Sequence, residues 1–255
     1  MYADQFISAA TNIGRDSSDR RKELVVLFDN IEKGVKCEHC TADAYYQADY
    51  ILRNQHIDGP IVEFGAYAGG MACKLSHVAE MVNKKYVIFD SFTGLPKDAE
   101  YEPYDKNMKF LGQFKKNQFS CSINELHNNL QKYGMFFLCE FVDGLIEDTL
   151  PHKDIKPSHV FIDVDIVETA KFIIENIYDK LTCGTLFTHE ACLTTYMDAL
   201  MDENWWKDVM KKPKPIFGHE TQGNPYGLIN SGCLNFLTKH GSDQDFLKLV
   251  KEVKT

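Results

Sequence analysis

Residues 61–75 read IVEFGAYAGGMACKL. The stretch is a short apolar run and a glycine-rich turn, after which Met71, Leu75, Val78 and Ala79 recur at the spacing of one helical face. The pattern predicts a strand, a tight turn and a helix in immediate succession. It constrains the chain more than any other stretch, because a buried strand feeding straight into a helix is the repeating unit of open α/β sheets. A side chain at Gly65 or Gly69 would occupy the space between strand end and helix N-terminus, where nucleotide-type ligands sit in such sheets.

The glycine spacing is G-x-x-x-G-G and departs from the G-x-G-x-x-G of dinucleotide-binding turns. Glu63, beside the strand end, would repel a phosphate, but it can face a cationic ligand or hold an amino group. S-adenosylmethionine offers both, through its sulfonium and its ammonium. On this stretch alone, a βα turn that simply needs glycine explains the pattern equally well.

A chain of 255 residues with 44% apolar composition is sufficient for one large α/β domain with a single core. The formal net charge of -9 argues against nucleic-acid and anionic-membrane partners, which need a basic face, so the expected partner is a small molecule. Lys115 and Lys116, and Lys211, Lys212 and Lys214, read as solvated surface. No stretch is apolar enough to span a bilayer, and MYADQFISAATNIGRD lacks the basic-then-apolar order of a leader. A cytoplasmic protein is expected, and a homodimer is compatible with this reading.

Of eight cysteines, Cys73, Cys139, Cys183 and Cys233 fall inside apolar runs, as packed, reduced thiols do. Cys37-Glu-His-Cys40 is different. A single CxxC lacks the second ligand pair of a structural zinc site, so a loop entering a helix is the expectation, with a metal or redox role as the alternative.

In chain order, residues 1–56 read as a helical cap, 57–191 as the ligand-binding core, and 192–255 as a helix followed by a hairpin. Tyr45, Tyr46 and Tyr50 are expected to pack the cap onto the sheet. KYVIFD (85–90) predicts a second buried strand ending in Asp90, at the offset where dinucleotide folds place the acid that grips ribose hydroxyls. The irregular stretch from Tyr101 to Phe114 is long for a plain connection and is expected to form a lid. Asn117 to Tyr133 reads as helix and Met135 to Val142 as the third strand, with Asp143 and Gly144 as its turn. SHVFID (158–163) is a fourth strand delivering Asp163, with Asp165 two residues on, and Glu168 to Leu181 is a helix. A fifth strand, Thr185 to Thr188, delivers His189 and Glu190. Leu193 to Met210 reads as helix, and 215–218 with 232–238 as an antiparallel hairpin. The architecture expected is a mostly parallel seven-stranded sheet with one antiparallel edge strand.

Five blocks, IVEFGAYAGG, YVIFDSFTGLP, FVDGLIEDTLP, VFIDVDIVETAKFIIENIYDKL and CGTLFTHEA, occur in order between Ile61 and Ala191. Together they resemble class I S-adenosylmethionine-dependent methyltransferases, and within these the macrocin O-methyltransferase family of natural-product sugar methyltransferases. FDSFTGLP is the most specific block. The resemblance implies a Rossmann-like class I methyltransferase fold with helices on both faces. It assigns the methionine end of the cofactor to Glu63, Gly65, Ala66, Tyr67 and Gly69, the ribose to Asp90 and Ser91, and the adenine neighbourhood to Asp143 and Gly144. Asp163 borders the cofactor as well. It further implies a divalent metal, magnesium or manganese, held at the positions of Asp163, His189 and Glu190. There this chain departs from the family pattern: the usual Asp-Asp-Tyr is His189-Glu190-Ala191, and Asp-Leu-Tyr is Asp165-Ile166-Val167.

The implied reaction is an in-line methyl displacement onto a hydroxyl of a sugar, glycoconjugate or related small metabolite. The hydroxyl must lose a proton. A metal on Asp163, His189 and Glu190 would lower its pKa, and an Asp, His and Glu set suits manganese, iron or zinc better than magnesium. Alternatively His189, with an unperturbed pKa of ~6.5, accepts the proton without metal. Asp163 and His189 are the catalytic candidates in either case. A nitrogen or carboxylate acceptor, and a degenerate fold serving as a binding module, are the competing functions.

Overall fold

The computed structural model describes residues 1–107, 111–218 and 233–252, with only the backbone path for 249–252. Part of the predicted lid and most of the loop within the C-terminal hairpin lie outside the described residues. The first strand, β1 (Ile61–Phe64), is buried along its whole length. It pairs in parallel with β2 (Tyr86–Asp90) on one side and β6 (His159–Ile162) on the other, Phe64 lying opposite both Phe89 and Ile162. Strands buried from end to end in this way require cover on both faces. That cover comes from two groups of helices. α2 (Ser18–Gly34), α3 (Thr41–Arg53), α4 (Gly70–Met81) and α5 (Ile123–Tyr133) pack together, and α6 (Ile146–Thr149), α7 (Val167–Ile177) and α8 (Thr194–Leu200) form the other group.

The remaining strands are β5 (Cys139–Asp143), β7 (Thr185–Thr188), β8 (Ile216–Phe217) and β9 (Asn235–Thr238), and the sheet order is β5-β2-β1-β6-β7-β9-β8. The order runs outward from β1 to β5 and then restarts on the other side with β6. Chains leaving β1 and β6 therefore diverge, and a crevice opens between their carboxyl ends. A separate pair brackets the predicted lid stretch, β3 (Ala99–Glu100) just before it and β4 (Gln113–Phe114) at its end.

Several expected boundaries shift for local reasons. The third strand starts at Cys139, because β2 pairs with β5 only from Tyr86 onward; the preceding Phe136–Leu138 turns as a 3-10 helix. The helix expected from Asn117 starts at Ile123, behind a cap in which the Ser122 hydroxyl accepts the Glu125 N–H. Asn117 (φ 67°) and Phe119 (φ 57°) hold left-handed backbone that no helix can pass through. The helix expected over Leu193 to Met210 splits into α8 and a π-helical turn, Trp205–Val209, with the Trp206 indole donating to the Leu200 carbonyl at 2.8 Å. The antiparallel strand is β9, and it lies one place in from the edge, since the two-residue β8 pairs outside it.

The cap consists of α1 (Ala3–Ser8), α2 and α3, with residues 35–40 as the loop into α3. Tyr46 and Tyr50 are fully buried and Tyr45 nearly so, which makes them packing residues. α3 docks on the sheet through Gln47, whose Oε1 lies 2.9 Å from His159 Nε2, and through Tyr50 edge-on to Phe187.

Candidate functional site

A cleft of about 620 Å³ opens at the carboxyl ends of β1, β2, β6 and β7. Its floor is the glycine turn, of which Gly65, Ala66, Tyr67 and Gly70 line the cleft. Gly65 (φ 83°) is required by the sheet itself, because a Cβ there would overlap the Asp163 carbonyl at the end of β6. Gly69 (φ 85°) lies outside the lining, with Leu126 where its side chain would be. At Gly70, a Cβ would sit 2.6 Å from Cys37 Sγ, so that glycine is what lets the cap loop press onto the start of α4.

Asp90 lines the cleft, and its carboxylate organises the turn. Oδ2 accepts the N–H groups of Ala66 (2.7 Å) and Tyr67 (3.2 Å), and Oδ1 accepts that of Phe92 (2.7 Å). A carboxylate has about four lone-pair sites, so about one is left for a ligand hydroxyl. Burial pushes its pKa up, and the three N–H groups oppose this. Ser91 also lines the cleft. Asp143 is exposed, and neither it nor Gly144 reaches the lining; the following Leu145, Ile146 and Glu147 do. Glu63 does not line the cleft either. Its carboxyl is buried, accepts the Tyr86 hydroxyl at 2.9 Å, and has its pKa raised to about 8 by burial.

At the other end of the cleft, five polar side chains from three parts of the chain converge: His39, Asp163, Asp165, His189 and Glu190. His39 Nε2 lies 2.8 Å from Asp163 Oδ2, and His189 Nδ1 lies 3.3 Å from Asp163 Oδ1 and 2.9 Å from Glu190 Oε1. Burial alone would neutralise these groups, but the charges override it. The two imidazoles hold the Asp163 carboxyl well below the usual carboxylate range. Asp163 raises His39 to about 10, and Asp163 with Glu190 raises His189 well above its ordinary value. Asp165 shifts the other way: burial, then Glu190 and Asp163, push its pKa well up. Asp165 and Glu190 both sit in left-handed backbone, at φ 57° and 68°, so the strand tips turn sharply to aim these acids inward.

His39 was not foreseen. The sequence signal was present in Cys37-Glu-His-Cys40, but the spacing directs attention to the two sulfurs, while the residue between them enters the site. Cys37 lines the cleft with its Sγ 3.5 Å from His39 Nδ1, and Cys40 is exposed.

A magnesium ion does not fit the His39, Asp163 and His189 set, because it favours oxygen ligands and retained water, and two imidazole nitrogens flank that carboxylate. The carboxylates of Asp163, Asp165 and Glu190, which converge beside it, are the all-oxygen set that suits magnesium. S-adenosylmethionine does fit the other end. Gly65 to Tyr67 leave open backbone, Asp90 keeps an acceptor site, and Leu145 and Ile146 give an apolar wall.

The stretch expected as a lid covers the cleft, with Leu111, Gly112, Gln113 and Phe114 in its lining. It is tied down by Tyr101, whose hydroxyl accepts the Val167 N–H at 2.9 Å, and by backbone bonds to Cys192 and Thr194.

Residues 44–202 match the family described as macrocin-O-methyltransferase (TylF). Among solved structures, the O-methyltransferase NovP is similar with a TM-score of 0.57 and 17% identity, covering 83% of this chain and 78% of its own. The calicheamicin methyltransferase CalS11 follows at 0.53 and 15%, covering 88% and 93%; its apo structure is described as a TDP-rhamnose 3'-O-methyltransferase. A putative caffeoyl-CoA O-methyltransferase from Staphylococcus aureus reaches 0.51 at 12%, covering 87% and 96%. At such identities the likeness is one of fold. No curated protein sequence matches the chain significantly.

Proposed function

The chain belongs to the macrocin O-methyltransferase family, an S-adenosylmethionine-dependent methyltransferase family, and from that premise we propose that it methylates a hydroxyl of a sugar or related small polyol. The observation that carries this reading is the meeting, in one cleft, of a glycine turn braced by Asp90 with a polar cluster around Asp163. The similarity to NovP, an O-methyltransferase, and to CalS11, a TDP-rhamnose 3'-O-methyltransferase, supports it.

S-adenosylmethionine supplies the methyl group on a sulfonium that leaves as a neutral thioether. The chain supplies position and proton acceptance. Gly65 to Tyr67 and Asp90 fix one reactant, and the cluster of His39, Asp163, His189 and Glu190 offers charged groups to orient a polyol at the other. Holding two reactants in line is worth several kcal/mol, on the order of 7–11 in favourable cases. His189 is poorly placed as a general base, because its Nδ1 is already engaged by Asp163 and Glu190. Asp165 is the better proton acceptor: it lines the cleft, and burial beside Glu190 and Asp163 raises its pKa, which makes it a stronger base than an exposed carboxylate. The β3–β4 pair, with Phe114 facing inward, excludes water from the reaction.

The test is binding and turnover together. Calorimetry with S-adenosylhomocysteine should show one site, and Asp90→Ala should weaken it roughly ten- to a hundredfold, the loss of a charged hydrogen bond. Product detection with nucleotide-linked and free sugars should then reveal O-methylation. Absence of S-adenosylhomocysteine binding would remove the whole reading, and methylation confined to amines or carboxylates would replace the acceptor.

A further inference from the structure

We propose that His39 is a metal ligand and that, with His189 and Asp163, it makes this cleft a site for a nitrogen-preferring divalent transition metal of the zinc and cobalt type. The family resemblance implies only Asp163, His189 and Glu190; the cap loop adds an imidazole from far away in sequence. Three geometric facts carry the inference.

First, the donors are spaced as ligands around a centre. One donor atom each of His39, Asp163 and His189 lies within 4.8 Å of the other two, which brings all three within reach of a single ion. Second, hydrogen bonding alone leaves the group over-subscribed. His189 Nδ1 has one hydrogen at most and faces two carboxylate oxygens, while the two imidazole rings stand 4.6 Å apart at 83°. Third, His39 is oriented from behind. Its Nδ1 meets Cys37 Sγ, and Cys37 is pinned against Gly70, which leaves Nε2 directed at Asp163, as a ligating histidine requires of its other nitrogen. Two imidazoles and carboxylates favour zinc, cobalt, iron or manganese over magnesium.

What the ion acts on rests on the methyl-transfer reading, but its binding can be measured without turnover. Chelator-treated protein is titrated with Zn2+ by calorimetry and with Co2+ by visible absorption, for the parent, His39→Ala, His39→Gln, Cys37→Ser and Cys40→Ser chains. Far-UV circular dichroism and the thermal midpoint serve as the folding control. The expected result is one ion per chain, unaffected by millimolar Mg2+ and by Cys40→Ser, with cobalt bands typical of nitrogen and oxygen ligands. Both His39 variants should lose affinity beyond the roughly 10- to 100-fold typical of outer-sphere changes. His39→Gln keeps a hydrogen bond to Asp163 and so guards against misfolding. No binding of Zn2+ or Co2+, equal binding by the His39 variants, displacement by Mg2+, or binding that survives in the His39 variants but is lost in Cys37→Ser would each overturn the proposal. Metal binding without S-adenosylhomocysteine binding would leave this inference standing and remove the methyl-transfer reading instead.

Discussion

Asp165 and Glu63 are both buried carboxyls with raised pKa values, yet their surroundings give them different consequences. Asp165 faces the cleft, so Asp165→Asn should lower kcat by about 10²- to 10⁴-fold, the usual worth of a general base, with S-adenosylhomocysteine affinity unchanged. Steady-state kinetics beside calorimetry checks this, and an unaltered kcat would move the base elsewhere. Glu63 sits behind the cleft against Tyr86, where only stability responds. Its folded pKa of about 8 lies above the ordinary 4.5, so between those values the folded state binds more protons than the unfolded one. Stability from this group is therefore full below pH 4.5 and falls as pH rises through 8. Glu63→Gln should flatten that decline, read as the change in urea midpoint between pH 5 and pH 8.

Among the elements, the β3–β4 pair is the one whose position governs access. It has two residues per strand, too few for independent stability, and it stays over the cleft through outside anchors. The Tyr101 hydroxyl is one of these, on the Val167 N–H at the start of α7. Tyr101→Phe should cost about 1 kcal/mol locally and raise amide exchange in 99–107 and 111–114, with little change in the sheet. The same segments should lose exchange when S-adenosylhomocysteine and acceptor are bound. Identical exchange in all states would make the pair a fixed wall.

For the whole molecule, the cap and the sheet act as one body, because His39 reaches the site only if the cap is docked. The cap is held by Arg21, fully buried, whose guanidinium donates to Asp16 (2.6 and 2.8 Å), to Asp49 (2.6 Å) and to the Phe6 carbonyl (2.8 Å). Arg21→Ala leaves the Asp16 carboxylate buried without its cationic partner and Asp49 with Arg53 alone, a change expected to cost about 3–5 kcal/mol. Chemical denaturation should register that loss. Arg21→Met, which fills the space but leaves the same acids, should recover only part of it.

The sequence by itself determined the alternation of strands and helices, the crevice and the identity of the acids at the strand tips. Apolar runs of strand length ending in Asp90, Asp163 and His189-Glu190 are local patterns, and a parallel sheet then carries all the tips to one edge. What it could not determine were contacts between segments remote in sequence. That Asp90 spends two acceptor sites on the glycine turn, that Glu63 turns to Tyr86, and that Gly65 makes room for the Asp163 carbonyl all follow from how β1, β2 and β6 pair in space. His39 is the plainest case. Its partner Asp163 is 124 residues away, nothing in the spacing of Cys37 and Cys40 points to it, and only the docking of the cap on the sheet brings the two within 2.8 Å.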